Sequence, residues 1–263
     1  MFINSSHGPI YYEIHGHKNA DAVAFFHGMF ADHKMFERQI SEFKDDYRLI
    51  LWDMPEHGQS VRLEKEFSFS VAAACFIELL DEICVEKAVL VGVSMGGYLS
   101  QYIAGKYPDR VKALAVEGSH PLHARLSKPF YFGLMLGFSI FKLMFKILPL
   151  TMIRSYFVKM TPGDEQKKYL ENIFIQLDKK RILLIYEGLR KKILKGIEEP
   201  GQQPVLITHG EHETPLIRKM CEKWHKSNSQ SEYVVISGAG HDAMFTNPEE
   251  YNKALRSFLS RLK

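Results

Sequence analysis

Strand-length apolar runs alternate along this chain with helix-length patterns, and no other feature constrains the fold as strongly. Residues 22–26 are apolar without interruption, as a strand buried on both faces requires. Residues 33–44 then read as a helix and 47–52 as a second buried strand. Residues 68–85 have helical spacing, with Ser68 or Ser70 placed to cap the first turn. A strand at 88–91, a helix at 94–107 stopped by Pro108 and a strand at 111–116 continue the series. Alternation of this kind predicts an α/β fold with a mostly parallel, doubly wound sheet. Ahead of it, residues 1–4 and 10–14 flank His7-Gly8-Pro9 and read as a hairpin at a sheet edge.

The alternation stops after residue 118. From about 119 to 200 the pattern is helical throughout, broken at Pro149 and at Thr161-Pro162-Gly163-Asp164. Strand signals return at 204–208 and 232–236, and a helix over 248–262 closes the chain. This divides it into a core of residues 1–118 and 201–263 and an inserted helical segment of 119–200. The 263 residues suit one core carrying such an insertion. Cys75, Cys84 and Cys221 show no metal-ligand spacing and read as small buried hydrophobes. The odd cysteine count and an N-terminus without a basic, apolar leader point to the cytoplasm.

Gly92-Val93-Ser94-Met95-Gly96-Gly97 falls where a strand meets a helix. Gly-x-Ser-x-Gly there has a physical reason. The serine sits on a sharp turn that lifts its hydroxyl above the sheet, and side chains two positions away on either side would collide with strand and helix. The helix beginning at the serine aims free N–H groups at the reacting oxygen. Ser94 is therefore the candidate nucleophile.

Four motifs in order make the chain resemble the α/β-hydrolase superfamily, in the branch with a helical cap after the sixth strand. The resemblance covers the chain outside the cap, and it implies an eight-stranded, mostly parallel sheet with helices on both faces. Beside the nucleophile motif stands His27-Gly28-Met29, after the 22–26 strand. In the family this loop gives one oxyanion-hole N–H, here Met29, and the residue after the nucleophile, Met95, gives the other. His27 reads as a buried side chain that orients the loop. Asp53-Met54-Pro55-Glu56-His57-Gly58-Gln59-Ser60 is similar to the family's Asp-x-Pro-Gly-x-Gly-x-Ser turn, with Glu56 where glycine is usual. Gly238-Ala239-Gly240-His241 follows the last strand and implies His241 as general base. After the 204–208 strand comes His209-Gly210-Glu211-His212-Glu213, whose last residue aligns with the family's usual Asp and becomes the expected triad acid. Glu117, at a second acid position used by some relatives, and Glu211 stay open as alternatives.

The resemblance implies acyl transfer: cleavage of a carboxylic ester or thioester through an acyl-enzyme, with no cofactor or metal. Lyase or C–C hydrolase chemistry on the same triad is the alternative, and a non-catalytic binding protein on this fold is a third reading. Serine at the turn argues against the branches that use aspartate. Residues 130–148 are apolar on nearly all sides, with Ser139, Lys142 and Lys146 as a narrow polar stripe. In a cap this helix is expected to pack on the core and roof a site for an apolar acyl or aromatic group. The apolar run at 130–141 reads as too short and too charged beyond it to span a membrane, though a basic, apolar helix suits weak membrane-surface association. Residues 121–200 hold 15 Lys and Arg against 7 Asp and Glu, which favours anionic substrates. The clusters Lys179-Lys180-Arg181 and Arg190-Lys191-Lys192 read as a solvated helix face. The net charge of +3 does not suggest nucleic acid as a partner. Oligomeric state is not legible.

Overall fold

A computed structural model describes residues 1–63, 65–123, 127–161 and 163–262. Strands β1 (Phe2–Ser5) and β2 (Gly8–His15) form the expected antiparallel hairpin. They join β3 (Ala22–Phe26), β4 (Arg48–Trp52), β5 (Ala88–Val93), β6 (Val111–Glu117), β7 (Val205–Gly210) and β8 (Ser231–Ile236) in one sheet. Its order is β1-β2-β4-β3-β5-β6-β7-β8, and every pairing from β4 to β8 is parallel. The chain thus has the predicted mostly parallel, eight-stranded α/β architecture.

Side-chain alternation along the strands builds a core on each face. Val23 and Phe25 enter one apolar cluster with Phe36, Phe43, Tyr251 and Phe258. Ala24 and Phe26 enter the other with Trp52, Phe76, Leu79 and Leu99. Helices α1 (Glu37–Phe43), α2 (Phe69–Glu82) and α3 (Met95–Lys106) supply much of this cover. Ser68 caps α2 by accepting the Val71 N–H. The expected helix at 33–44 divides into a 3-10 turn over His33–Phe36 and α1. Asp53 holds that turn, accepting both the His33 N–H and the imidazole Nδ1–H at 2.8 Å.

Among the described residues between β6 and β7 lie four helices: α4 (Lys128–Ile147), α5 (Leu150–Met160), α6 (Asp164–Gln176) and α7 (Lys179–Lys195). Leu148, before Pro149, is extended and separates α4 from α5. Of the expected turn at 161–164, Pro162 lies outside the described residues, and α6 begins directly after Gly163.

Tertiary packing corrects four expectations. The apolar run read as too short and too charged to span a membrane is part of a longer one: Phe130–Ile147 is long and apolar enough to cross a membrane by length and composition. Nor does it pack all round. Phe145 is fully buried, whereas Phe132, Leu136, Ile140, Leu143 and Ile147 are each more than half exposed. Arg181 is not on a solvated face: it is buried, and its Nε–H donates to the Glu56 carbonyl at 2.5 Å. Cys84 is exposed, in a left-handed turn that ends α2, while Cys75 and Cys221 are buried as expected.

Downstream of β7, α8 (Pro215–Ser227) packs on β7 and β8, and α9 (Ala243–Thr246) and α10 (Pro248–Ser260) close the chain. The short α9 had no signal in the apolar pattern.

Candidate active site

β5 ends at Val93, and α3 begins at Met95. Between them Ser94 adopts φ 51° and ψ −115°, a backbone a non-glycine residue holds only when its surroundings enforce it. Two contacts supply that enforcement. The Ser94 N–H donates to the Glu117 carbonyl at 2.8 Å, and Ser119 Oγ–H donates to the Ser94 carbonyl at 2.8 Å. A Cβ on Gly96 would stand 2.0 Å from the Phe26 carbonyl oxygen, and one on Gly92 would stand 2.5 Å from the Gly96 backbone. Both glycines are therefore required by close backbone approach. Gly96→Ala is expected to destabilise the protein by roughly 1–3 kcal/mol. It should also slow covalent labelling of Ser94, because Phe26 leads directly into the adjacent loop. Thermal melting and labelling rates measure the two effects.

Strand order brings the second motif alongside. β3 pairs with β5, with Phe26 opposite Gly92, so His27-Gly28-Met29 leaves the sheet next to Ser94. A Cβ on Gly28 would lie 3.9 Å from that of Ser94. The Met29 and Met95 N–H groups have no acceptor among the described residues. His27 is buried and ties this loop to the next: its Nδ1–H donates to the Gly28 carbonyl at 2.9 Å, and its Nε2 accepts the Met54 N–H at 3.0 Å. Burial holds its pKa below the usual value, which suits the neutral ring this arrangement needs. Glu56 has φ 69°, which is why glycine is usual at its position.

The loops after β7 and β8 bring Glu213 and His241 to the same edge. Ser94 Oγ–H donates to His241 Nε2 at 2.9 Å, and His241 Nδ1–H donates to Glu213 Oε2 at 2.5 Å. The Glu213 side chain is buried, whereas the imidazole is half-exposed. Desolvation disfavours the imidazolium, but the hydrogen bond and charge of Glu213 outweigh it and raise the His241 pKa to about 9. The Glu213 pKa is shifted the opposite way. Burial pushes it up, but His241 and the Thr214 N–H, which donates at 2.6 Å, bring it below the ordinary carboxylate value.

The other two carboxylates point elsewhere. Glu117 is fully buried and accepts the Ala243 N–H at 2.6 Å and the Met244 N–H at 3.3 Å, so it holds the first turn of α9 just beyond His241. Burial pushes its pKa up to about 8, leaving it largely uncharged at neutral pH. Glu211 accepts the Gly238 N–H at 2.9 Å and supports the turn before His241.

The profile of a family described as the alpha/beta hydrolase fold matches residues 21–142. The chain has the α/β-hydrolase fold. Among curated relatives, 3-oxoadipate enol-lactonase 1 of Acinetobacter baylyi is 29% identical over 119 residues, which span 45% of this chain and 44% of that protein. The pimeloyl-[acyl-carrier protein] methyl ester esterase of Wigglesworthia glossinidia brevipalpis is 24% identical over 96% of this chain and 98% of its own. A hydrolase from Pseudomonas aeruginosa superposes with a TM-score of 0.82 at 17% identity, covering 98% of this chain and 97% of that one, and so shares its fold.

Ser119 and Phe30 carry no motif signal in the sequence, and Glu117 is legible there only as an alternative acid. Ser119 braces the Ser94 turn, Glu117 braces the histidine loop, and Phe30, at φ 65°, has its ring centroid 6.5 Å from that of Phe141 and 6.1 Å from that of Phe145 of α4. Each acts through contacts distant in sequence. Among the described residues no group of three or more His, Cys, Asp or Glu is placed to hold a metal.

Proposed function

We propose that the protein is a serine hydrolase that cleaves a carboxylic ester or thioester with an apolar acyl or aromatic group, through an acyl-enzyme. The observation carrying this reading is the continuous hydrogen-bond relay from Ser94 Oγ through His241 to Glu213. Ser94 Oγ attacks the carbonyl carbon as its proton passes to His241 Nε2. The oxyanion accepts hydrogen bonds from the Met29 and Met95 N–H groups, which is why their lack of other acceptors matters. Collapse of this intermediate breaks the bond to the leaving group, which takes the proton from His241. Water, deprotonated by the same imidazole, then attacks the acyl-Ser94 carbonyl, and the acid leaves with Ser94 reprotonated. Glu213 holds the imidazole tautomer and stabilises its charged form.

The relatives support the ester class, since one is named a lactonase and another a methyl ester esterase. Phe30, Phe141 and Phe145 form an aromatic cluster that joins the Met29 loop to α4, and this supports an apolar acyl group. In this reading α4–α7 form the cap. Their surplus of cations supports a preference for anionic over cationic esters.

The test is a p-nitrophenyl ester panel of increasing acyl length, with matched anionic and cationic members at low salt, together with fluorophosphonate labelling. Labelling at Ser94 and turnover that rises with acyl length are expected. Failure of Ser94 to label would remove the proposal, and equal kcat/KM for the two charge types would remove the anion preference.

A further inference from the structure

The outward side of α4 and α5 carries two apolar stripes. Phe132, Leu136, Ile140, Leu143 and Ile147 recur at helical spacing along α4, and Met152, Tyr156 and Met160 do so along α5; all are more than half exposed. Exposed apolar stripes of this kind mark an interaction surface.

Its charge narrows the occupant. Residues 128–160 contain Lys128, Lys142, Lys146, Arg154 and Lys159 and not one Asp or Glu. Lys142 pairs with Glu187 of α7 at 3.3 Å. Among the described residues the other four make no ion pair. A second copy docking through the same face would bring these cations against their own kind, which disfavours a symmetric dimer. An anionic lipid surface matches both the apolar stripes and the positive charge.

The inner side of α4 shows how the helix would lie. The Tyr186 O–H of α7 donates to the Phe138 carbonyl at 2.5 Å, and the Phe141 ring stacks on Tyr186 with centroids 4.6 Å apart. Phe145 is fully buried. α4 is therefore fastened lengthwise to the protein. This is the disposition of an interfacial helix, with one face on protein and the other free, although its length alone would allow it to span a bilayer.

We propose that the α4–α5 face docks the protein on an anionic bilayer, with the apolar stripes entering the headgroup–acyl boundary and Lys128, Lys146, Arg154 and Lys159 meeting the lipid charge. The proposal stands apart from the hydrolase reading, because docking requires no turnover. If both hold, the same helix touches the bilayer outside and, through Phe141 and Phe145, the Phe30 end of the Met29 loop inside.

The experiment is co-sedimentation of the full chain with vesicles of phosphatidylcholine alone and of phosphatidylcholine mixed with phosphatidylglycerol, at low and high salt. The protein is expected to partition onto the mixed vesicles and to be released by salt. Leu136→Glu with Ile140→Glu should lower partitioning by at least about tenfold. Lys146→Ala, Arg154→Ala and Lys159→Ala should each lower it by about fivefold at low salt. Circular dichroism and the melting temperature should stay unchanged, because all five positions are on the surface of the helices. Absence of binding to the mixed vesicles, or full binding by the folded double variant, would overturn the proposal. A dimer in analytical ultracentrifugation that the double variant dissociates, with no vesicle binding, would assign the face to a second copy and overturn it equally.

Discussion

Ser94→Ala is expected to lower kcat on the best ester of the panel by about 10⁶-fold while leaving a folded protein. The size follows from what is removed. Without Oγ there is no acyl-enzyme, and His241 Nε2 loses the donor it meets at 2.9 Å. The remaining groups can still polarise a bound carbonyl, so a residual rate of about 10³–10⁴ over the reaction in water is expected. Active-site titration separates this residue from contaminating esterase. The melting temperature should change little, since the substitution removes one hydroxyl, and the φ of 51° that strains the position remains. Ester turnover that survives the substitution at the wild-type rate would sink the proposed function.

Glu213→Gln is expected to cost about 10⁴-fold in kcat/KM, whereas Glu117→Gln should cost less than about tenfold. Both changes are isosteric, and the geometry separates them. Glu213 Oε2 accepts the His241 Nδ1–H, and an amide NH2 in its place favours the wrong tautomer. Glu117 accepts backbone N–H groups of α9, and a glutamine oxygen still serves the nearer one. The pH profile gives an independent readout. His241 must be neutral to accept the Ser94 proton, and its pKa is raised to about 9. The acid limb of kcat/KM should therefore lie above the ordinary histidine value of about 6.5, with activity still rising through neutral pH. Removing the Glu213 charge removes the largest contribution holding the imidazolium, so the limb should move down in Glu213→Gln. A larger loss in Glu117→Gln than in Glu213→Gln would transfer the acid role to Glu117.

Much of the architecture was legible because its signals are local. The strands predicted from unbroken apolar runs appear with shifts of one or two residues at their ends, as at β5, which runs on through Gly92 and Val93. Gly92 and Gly96 are legible in the sequence as steric necessities, because strand–turn–helix geometry leaves no room for a Cβ. His27 was likewise readable as a loop-orienting side chain, since its motif fixes its neighbours. Arg181 reads as solvated beside two lysines, because a guanidinium bonded to a backbone carbonyl of another loop has no signature in its own helix. The apolar surroundings of α4 misled in the opposite direction: a helix apolar all round normally reads as covered.

By itself the sequence determined the order of strands and helices, the tight serine turn and the candidate nucleophile and base, all of which depend on periodicity, glycine spacing or motif order within a few residues. It left three glutamates open for one role. Only the tertiary structure separates them, since strand ends far apart in the chain meet at one sheet edge, where one carboxylate reaches Nδ1 of His241 and the other two hold backbone N–H groups. It alone also decides which side of α4 faces Phe30 and which faces solvent, because burial belongs to the packing of helices on one another and not to the apolarity of any one of them.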